Sequence, residues 1–220
     1  MTPQDIETLL TSDNFSNQIR GLNHLRNLDP ALAFPLLKPL LNDPNPRIRY
    51  AAVSQLDPIG AVNPQESLEL LRERLFNDSE IDVQSVAADV IGGLKLTEAY
   101  PDLEQTYNNT QDWLLQMSIV ATLGEMGDPR SVELLKTALS SPQSLIRAAA
   151  IGALGDLGDA GIMSILLPLA EDEDWQVRYR LALTLGQLPT PEGLAALERL
   201  SQDEAEQVAA TAREALAARV

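Results

Sequence analysis

The chain has no cysteine and a single histidine, His24. Disulfides, thiolate metal sites, iron–sulfur ligation and thiol nucleophiles are therefore excluded, and no ligand can be held through a thioether. One histidine also rules out a metal cluster built on several of them, and His24 is expected to have no chemical role. Aromatic residues make up only 4% of the 220, so any core must be built from Leu, Ala, Ile and Val. Lysine is scarce, three among sixteen basic residues, and acidic residues outnumber basic ones 32 to 16. Splitting after Thr110 leaves eight basic and sixteen acidic residues in each half. Neither half offers a basic patch to neutralise phosphates, so nucleic acid is excluded as a partner. Anionic membranes are disfavoured for the same reason. The longest nearly apolar run, Ala160 to Ala170, is too short to span a bilayer. The opening MTPQDIETLL is acidic and lacks a signal peptide's basic and apolar regions. A cytoplasmic protein is expected.

What the chain does have is one short helix, repeated. IRYAAVSQL (Ile48 to Leu56) recurs as VQSVAADVI (Val83 to Ile91), LQMSIVATL (Leu115 to Leu123) and IRAAAIGAL (Ile146 to Leu154). It continues as VRYRLALTL (Val177 to Leu185) and VAATAREAL (Val208 to Leu216), the starts lying 35, 32, 31, 31 and 31 residues apart. Internal periods of this size signal stacked repeats. An amphipathic stretch precedes each copy, as in Gln65 to Phe76, where Leu68, Leu71 and Leu75 share one helical face. The equivalent stretches are Pro30 to Leu41, Glu98 to Tyr107, Pro129 to Leu139, Ala160 to Ala170 and Pro191 to Leu200. Neither helix of a pair can bury its apolar face alone; stacked neighbours close a continuous core. The predicted fold is all-α, a right-handed α-α superhelix of about six to seven helix pairs. One domain is expected over 1–220, with a degenerate cap at 1–29, regular repeats over 30–189 and a closing repeat and cap at 190–220. Gly127, Asp128 and Pro129 supply a left-handed helix end, a cap and a first-turn proline. Gly158-Asp159 repeats that device without the proline, and Gly60 holds the matching place earlier.

The second position of the repeated helix is Arg49, Gln84, Gln116, Arg147, Arg178 and Ala209. Arg20 is assigned to the same place in the first unit. A side chain recurring at one register forms a ladder, which either pairs with acidic or carbonyl groups of neighbouring turns or lines a ligand groove. The two tryptophans occupy equivalent positions, in Asp112-Trp113 and Asp174-Trp175. Each Asp can cap a helix and each Trp can cover the core edge. The alternative is a binding surface in which Asp174, Trp175, Arg178 and Tyr179 combine a carboxylate, two rings and a guanidinium within two turns. Such residues are enriched in interface hot spots, and Tyr50, next to Arg49, matches Tyr179 in register. The candidate ligand- or partner-binding residues are thus Arg49, Tyr50, Asp112, Trp113, Arg147, Asp174, Trp175, Arg178 and Tyr179. Glu171 to Asp174 lacks the spacing and glycine of a calcium loop. Gly155, Gly158 and Gly161 lack the preceding strand and lysine of a phosphate loop. No catalytic constellation is visible and no metal site is expected.

DPRSVELLKTAL, IRAAAIGALGDLGD and DWQVRYRLALTLGQL resemble HEAT-like repeats of the phycobilin-lyase type. The opening QDIETLL…IRGLNHLRNLDPALAF, with RIRYAAVSQL and the DW…QVRYR segment, is similar to the cyanobacterial phycobilisome-degradation (NblB) family. That family is related to the E and F subunits of the phycocyanobilin lyases. The resemblance implies a cytoplasmic protein that binds phycobiliproteins during antenna dismantling. It also implies transient contact with bilin (phycocyanobilin) and otherwise no cofactor. A lyase subunit that attaches or detaches bilin, or an adaptor with no pigment link, are the alternatives. Phycobiliproteins are commonly acidic, so contact is expected to use arginine patches such as Arg147, Arg178 and Arg180.

Overall fold

The computed structural model describes residues 1–158, 160–188 and 190–218. Among them the regular elements are helices, without a strand. In chain order the first of each pair precedes the second by a short turn: α1 (Pro3–Leu10) and α2 (Phe15–Leu25), then α3 (Pro30–Leu37) and α4 (Pro46–Ser54). The single turn α5 (Leu56–Ile59) leads to α6 (Pro64–Asn77) and α7 (Ile81–Gly93), followed by α8 (Tyr100–Asn109) and α9 (Trp113–Met126). Then come α10 (Val132–Ala138) and α11 (Ser144–Leu157), α12 (Met163–Leu166) and α13 (Trp175–Gln187), and α14 (Pro191–Leu200) and α15 (Glu206–Ala217). These make seven pairs among the described residues. The chain divides into two compact units, Met1–Thr122 and Leu123–Val220, the division falling inside α9. In the first unit α2 packs on α4 and α4 on α7; in the second α11 packs on α13 and α13 on α15.

The recurring apolar residues explain this order. The third residue after each N-cap (Ile48, Val83, Leu115, Ile146, Val177, Val208) is buried. So is the residue four further on (Ala52, Ala87, Ile119, Ala150, Leu181, Ala212). Residues four apart share a face, so each second helix hides one stripe between its neighbours. Small residues keep the helices close. A Cβ added at Gly124 would lie 2.6 Å from Ala153 Cβ, and one at Gly155 would lie 2.5 Å from Thr184 Cγ2. Overpacking costs about 1–3 kcal/mol, so Ala150→Leu is expected to lower stability by about that amount. An unchanged thermal midpoint would contradict close packing there.

Three details differ from the sequence expectation. The stretches Pro30 to Leu41 and Ala160 to Ala170 are not continuous α-helices; each closes in a 3₁₀ turn, Lys38–Asn42 and Leu167–Glu171. Pro39 and Pro168 lie inside these turns and have no N–H for an α-helical bond. Gly127 is left-handed (φ 67°), with Asp128 accepting from the Arg130 N–H at 2.9 Å, as expected. Gly60 is right-handed instead (φ −66°). It is needed for closeness: an added Cβ would sit 2.6 Å from Ser67 Oγ, which donates to the Gly60 carbonyl. Gly158 is left-handed, while Asp159 lies outside the described residues.

Candidate functional site

The predicted ladder exists, and its geometry is uniform. Each ladder side chain is the fourth residue after its helix's N-cap, and each acceptor lies two residues before the next N-cap. In the first unit Arg49 Nε and Nη2 both donate to the Asp78 carboxylate at 2.7 Å. In the second, Arg147 forms the same fork to Asp172 at 2.8 and 2.7 Å, and Arg178 to Asp203 at 2.7 and 2.9 Å. The remaining arm turns back to the loop before its own helix. Arg49 Nη1 donates to the Asp43 carbonyl, Arg147 Nη1 to that of Ser141 and Arg178 Nη1 to that of Asp172. Gln84 and Gln116 keep only this backbone contact, to Asp78 O and Thr110 O. After Gln84 and Gln116 the next acceptor positions hold Thr110 and Ser141 rather than aspartate. Two-pronged arginine pairing therefore ties the repeats of Arg49, Arg147 and Arg178 to the following turn.

Two assignments change. Arg20 is exposed and is not the first member of the ladder. That place, four residues after the Asn14 cap, belongs to Gln18, whose Nε2 donates to Asp43 Oδ2 at 3.0 Å. Arg147 and Arg178 are buried, and their Nε, Nη1 and Nη2 atoms all donate within the chain. They form no free cationic patch, and Arg178 pairs with Asp203 rather than with Asp174.

The Arg49 and Arg178 pairs hold Asp78 and Asp203 ionised. Arg178's hydrogen bond keeps Asp203 below the ordinary carboxylate range, against the opposing effect of burial. Burial pushes Asp78 up, but the Arg49 hydrogen bond, the Glu80 N–H and the charges of Arg49 and Arg74 outweigh it. A depressed carboxylate contributes stability that is complete above its unfolded pKa, about 3.9. That contribution is lost as pH falls through the lowered folded value. Between about pH 5 and about pH 3 the native chain is expected to lose more stability than Asp203→Asn. Equal losses in urea midpoints would contradict this.

Trp113, Trp175 and Tyr50 stand partly outside the core. Asp112 and Asp174 cap α9 and α13, accepting from the N–H groups of Leu114 and Gln176 at 2.9 and 2.8 Å. Trp113 and Trp175, which follow them, are 44% and 41% exposed, and Tyr50 is 47% exposed. Trp175 meets half-buried Tyr179 edge-on, with ring centroids 6.3 Å apart. Phe15, missed in the sequence, occupies the same place on α2, directly after the Asn14 cap, and is 40% exposed. Only recognition of Asn14 as an N-cap could have found it. In the first unit a cavity of about 380 Å³ is lined by Pro46, Arg47, Tyr50, Glu80, Asp82 and Val83. In the second, one of about 450 Å³ opens beside Ser144, Glu173, Asp174 and Trp175. Both lie at the N-terminal ends of consecutive second helices. Among the described residues no group of three or more acidic or histidine side chains could hold a metal. No helix among them is long and apolar enough to cross a membrane.

Helix pairs repeated in sequence order, several of them tied to the next turn by one side chain, define an α-helical repeat protein. The chain belongs to the HEAT-repeat family, whose pattern matches residues 3–79, 68–151 and 132–217. No curated protein matches it in sequence. Among solved structures it is similar to the complex of CpcE and CpcF of phycocyanin lyase from Nostoc sp. PCC7120. Identity is 23%, the match covers 98% of this chain and 87% of that one, and the TM-score is 0.63. It is also similar to YibA of Escherichia coli (14% identity, 98% and 92% covered, TM-score 0.61). An engineered protein matches with 20% identity, 98% and 96% covered and a TM-score of 0.52. At these identities the likeness is one of fold.

Proposed function

We propose that this chain is a non-enzymatic HEAT-repeat binding protein of the cytoplasm. In this reading it engages phycobiliproteins, with transient contact to their bilin chromophores, during phycobilisome degradation or remodelling. The observation that carries the reading is the exposure of Trp113 and Trp175 at one repeat position, each beside a capping aspartate. Large rings held in water by rigid helix ends are costly unless a partner covers them, and Trp and Tyr dominate interface hot spots. The sequence resemblance to the phycobilisome-degradation and lyase families supplies the pigment proteins as partners. The fold shared with the CpcE–CpcF complex favours a second reading, in which the chain is a lyase subunit that attaches or detaches phycocyanobilin.

Mixing the purified chain with phycocyanin tests both. Docking predicts co-elution on size exclusion with the bilin still attached to its carrier. Trp113→Ala and Trp175→Ala are each expected to weaken binding about tenfold or more, with the thermal midpoint unchanged. Bilin transfer or release would give a lasting change in visible absorption and support the lyase reading. Absence of co-elution would leave an adaptor with no pigment link.

A further inference from the structure

Exposed apolar residues recur where the second helices begin. In the first unit these are Phe15, Tyr50 and Trp113; in the second they are Leu145 and Trp175. Each lies within the first five residues after an N-cap. The surrounding charge is strongly biased. The five-residue stretches running from two residues before each of the seven N-caps to two after hold twelve of the chain's acidic residues. They hold one basic residue, Arg47. The ladder neutralises Asp78, Asp172 and Asp203 and engages Asp43. The carboxylates of Glu80, Asp82 and Glu173 are not its acceptors, and Glu80 and Asp82 share the 380 Å³ cavity with the Tyr50 ring. Glu173 and Asp174 share the second unit's cavity with Trp175.

We infer that each cavity receives an arginine or lysine side chain from an extended, basic segment of a partner protein. The inference rests on the reading above only in taking these helix ends as the docking surface. The aromatic face supplies the site: a guanidinium or ammonium stacks on an exposed ring, drawn by the ring's negative face. The carboxylates select the occupant, because an acidic segment would meet like charge at six of the seven helix ends. Each cavity pairs an exposed ring with two carboxylates: Tyr50, from the preceding second helix, with Glu80 and Asp82, and Trp175 with Glu173 and Asp174 directly before it. Each is also lined by one arginine, Arg47 or the ladder's Arg147, and a segment with repeated basic residues can use either. Of the arginines expected to attract an acidic partner, Arg147 and Arg178 are committed to the ladder, and exposed Arg180 lines neither cavity, so the cation comes from the partner. An acidic phycobiliprotein therefore docks through a locally basic stretch.

A dye-labelled peptide of five Arg-Ala repeats, titrated with the full chain at 0.15 M salt and read by anisotropy, tests this. Saturable binding is expected, with the Glu-Ala counterpart not binding. Glu80→Gln, Asp82→Asn, Glu173→Gln and Asp174→Asn together should weaken it at least tenfold; the last retains the side-chain oxygen needed for capping. Tyr50→Ala with Trp175→Ala should weaken it at least fivefold. Neutralising four exposed acids on first helices (Glu69, Glu73, Glu192 and Glu198 to Gln) removes the same charge and should change affinity less than twofold. Equal weakening by that control set would show diffuse attraction and overturn the proposal. An unaffected aromatic variant, or no saturable binding of the basic peptide, would overturn it as well. Basic-peptide binding without phycocyanin co-elution would remove the pigment reading alone.

Discussion

Asp78→Ala is expected to destabilise the chain by about 3–5 kcal/mol. The Asp78 side chain is 1% exposed and accepts from Arg49 at two atoms and from Arg74 at 3.2 Å. It also accepts from the Glu80 N–H at 3.1 Å, so it shapes the entry to α7. Removing it leaves the buried Arg49 guanidinium with the Asp43 and Pro44 carbonyls and the Ser79 hydroxyl, and no paired carboxylate. The cost is that of an uncompensated buried charge, which exceeds the net worth of the pair itself. The chain contains its own neutral alternative, with Gln84 on the ladder and Thr110 at the following acceptor position. Arg49→Gln combined with Asp78→Thr is therefore expected to be more stable than Asp78→Ala alone. Urea unfolding of the three variants checks this; a double variant at least as unstable as Asp78→Ala would contradict it.

Gly124→Val is expected to cost about 3 kcal/mol. The added Cβ alone would lie 2.6 Å from Ala153 Cβ and 2.7 Å from Ala153 Cα. The second of these atoms is backbone, so relief requires α11 to move rather than a side chain to rotate. Gly152 supplies the control. It too is inside α11, but a Cβ there would meet only the Arg180 side chain, at 3.6 Å or more. Gly152→Ala is expected to stabilise by about 0.5–1 kcal/mol, the ordinary gain from replacing a helix-interior glycine. Thermal or urea unfolding that finds both substitutions harmless would refute the close approach at Gly124.

The fold was legible because stacking imposes a strict spacing on the buried positions. Ile146, Val177 and Val208 are read as equivalent from their 31-residue intervals, and all are buried. The chain's beginning was harder. In α2 the buried leucines are Leu22 and Leu25, and Gly21 fills the place that alanine takes elsewhere, so the pattern slides and Arg20 looks like Arg49. The N-cap fixes the true register, and it makes Gln18 the equivalent residue. The 3₁₀ turns at Pro39 and Pro168 preserve the amphipathic pattern while removing backbone donors, so hydrophobic spacing alone could not reveal them. At the candidate site the sequence offered residue types without directions. Arg178 and Trp175 are three residues apart, yet one points into a buried ion pair and the other into water. That separation depends on Asp203, 25 residues further on, which a local reading of the motif does not reach.

The account turns on a division of labour: the ladder arginines hold successive repeats together, and the exposed rings beside them hold the partner. Measuring unfolding midpoint and phycocyanin affinity together on Arg178→Met and Trp175→Ala tests it most directly. The first variant should unfold earlier while its folded fraction still binds; the second should keep its midpoint and lose binding. An Arg178→Met chain with native stability and no affinity would contradict the account.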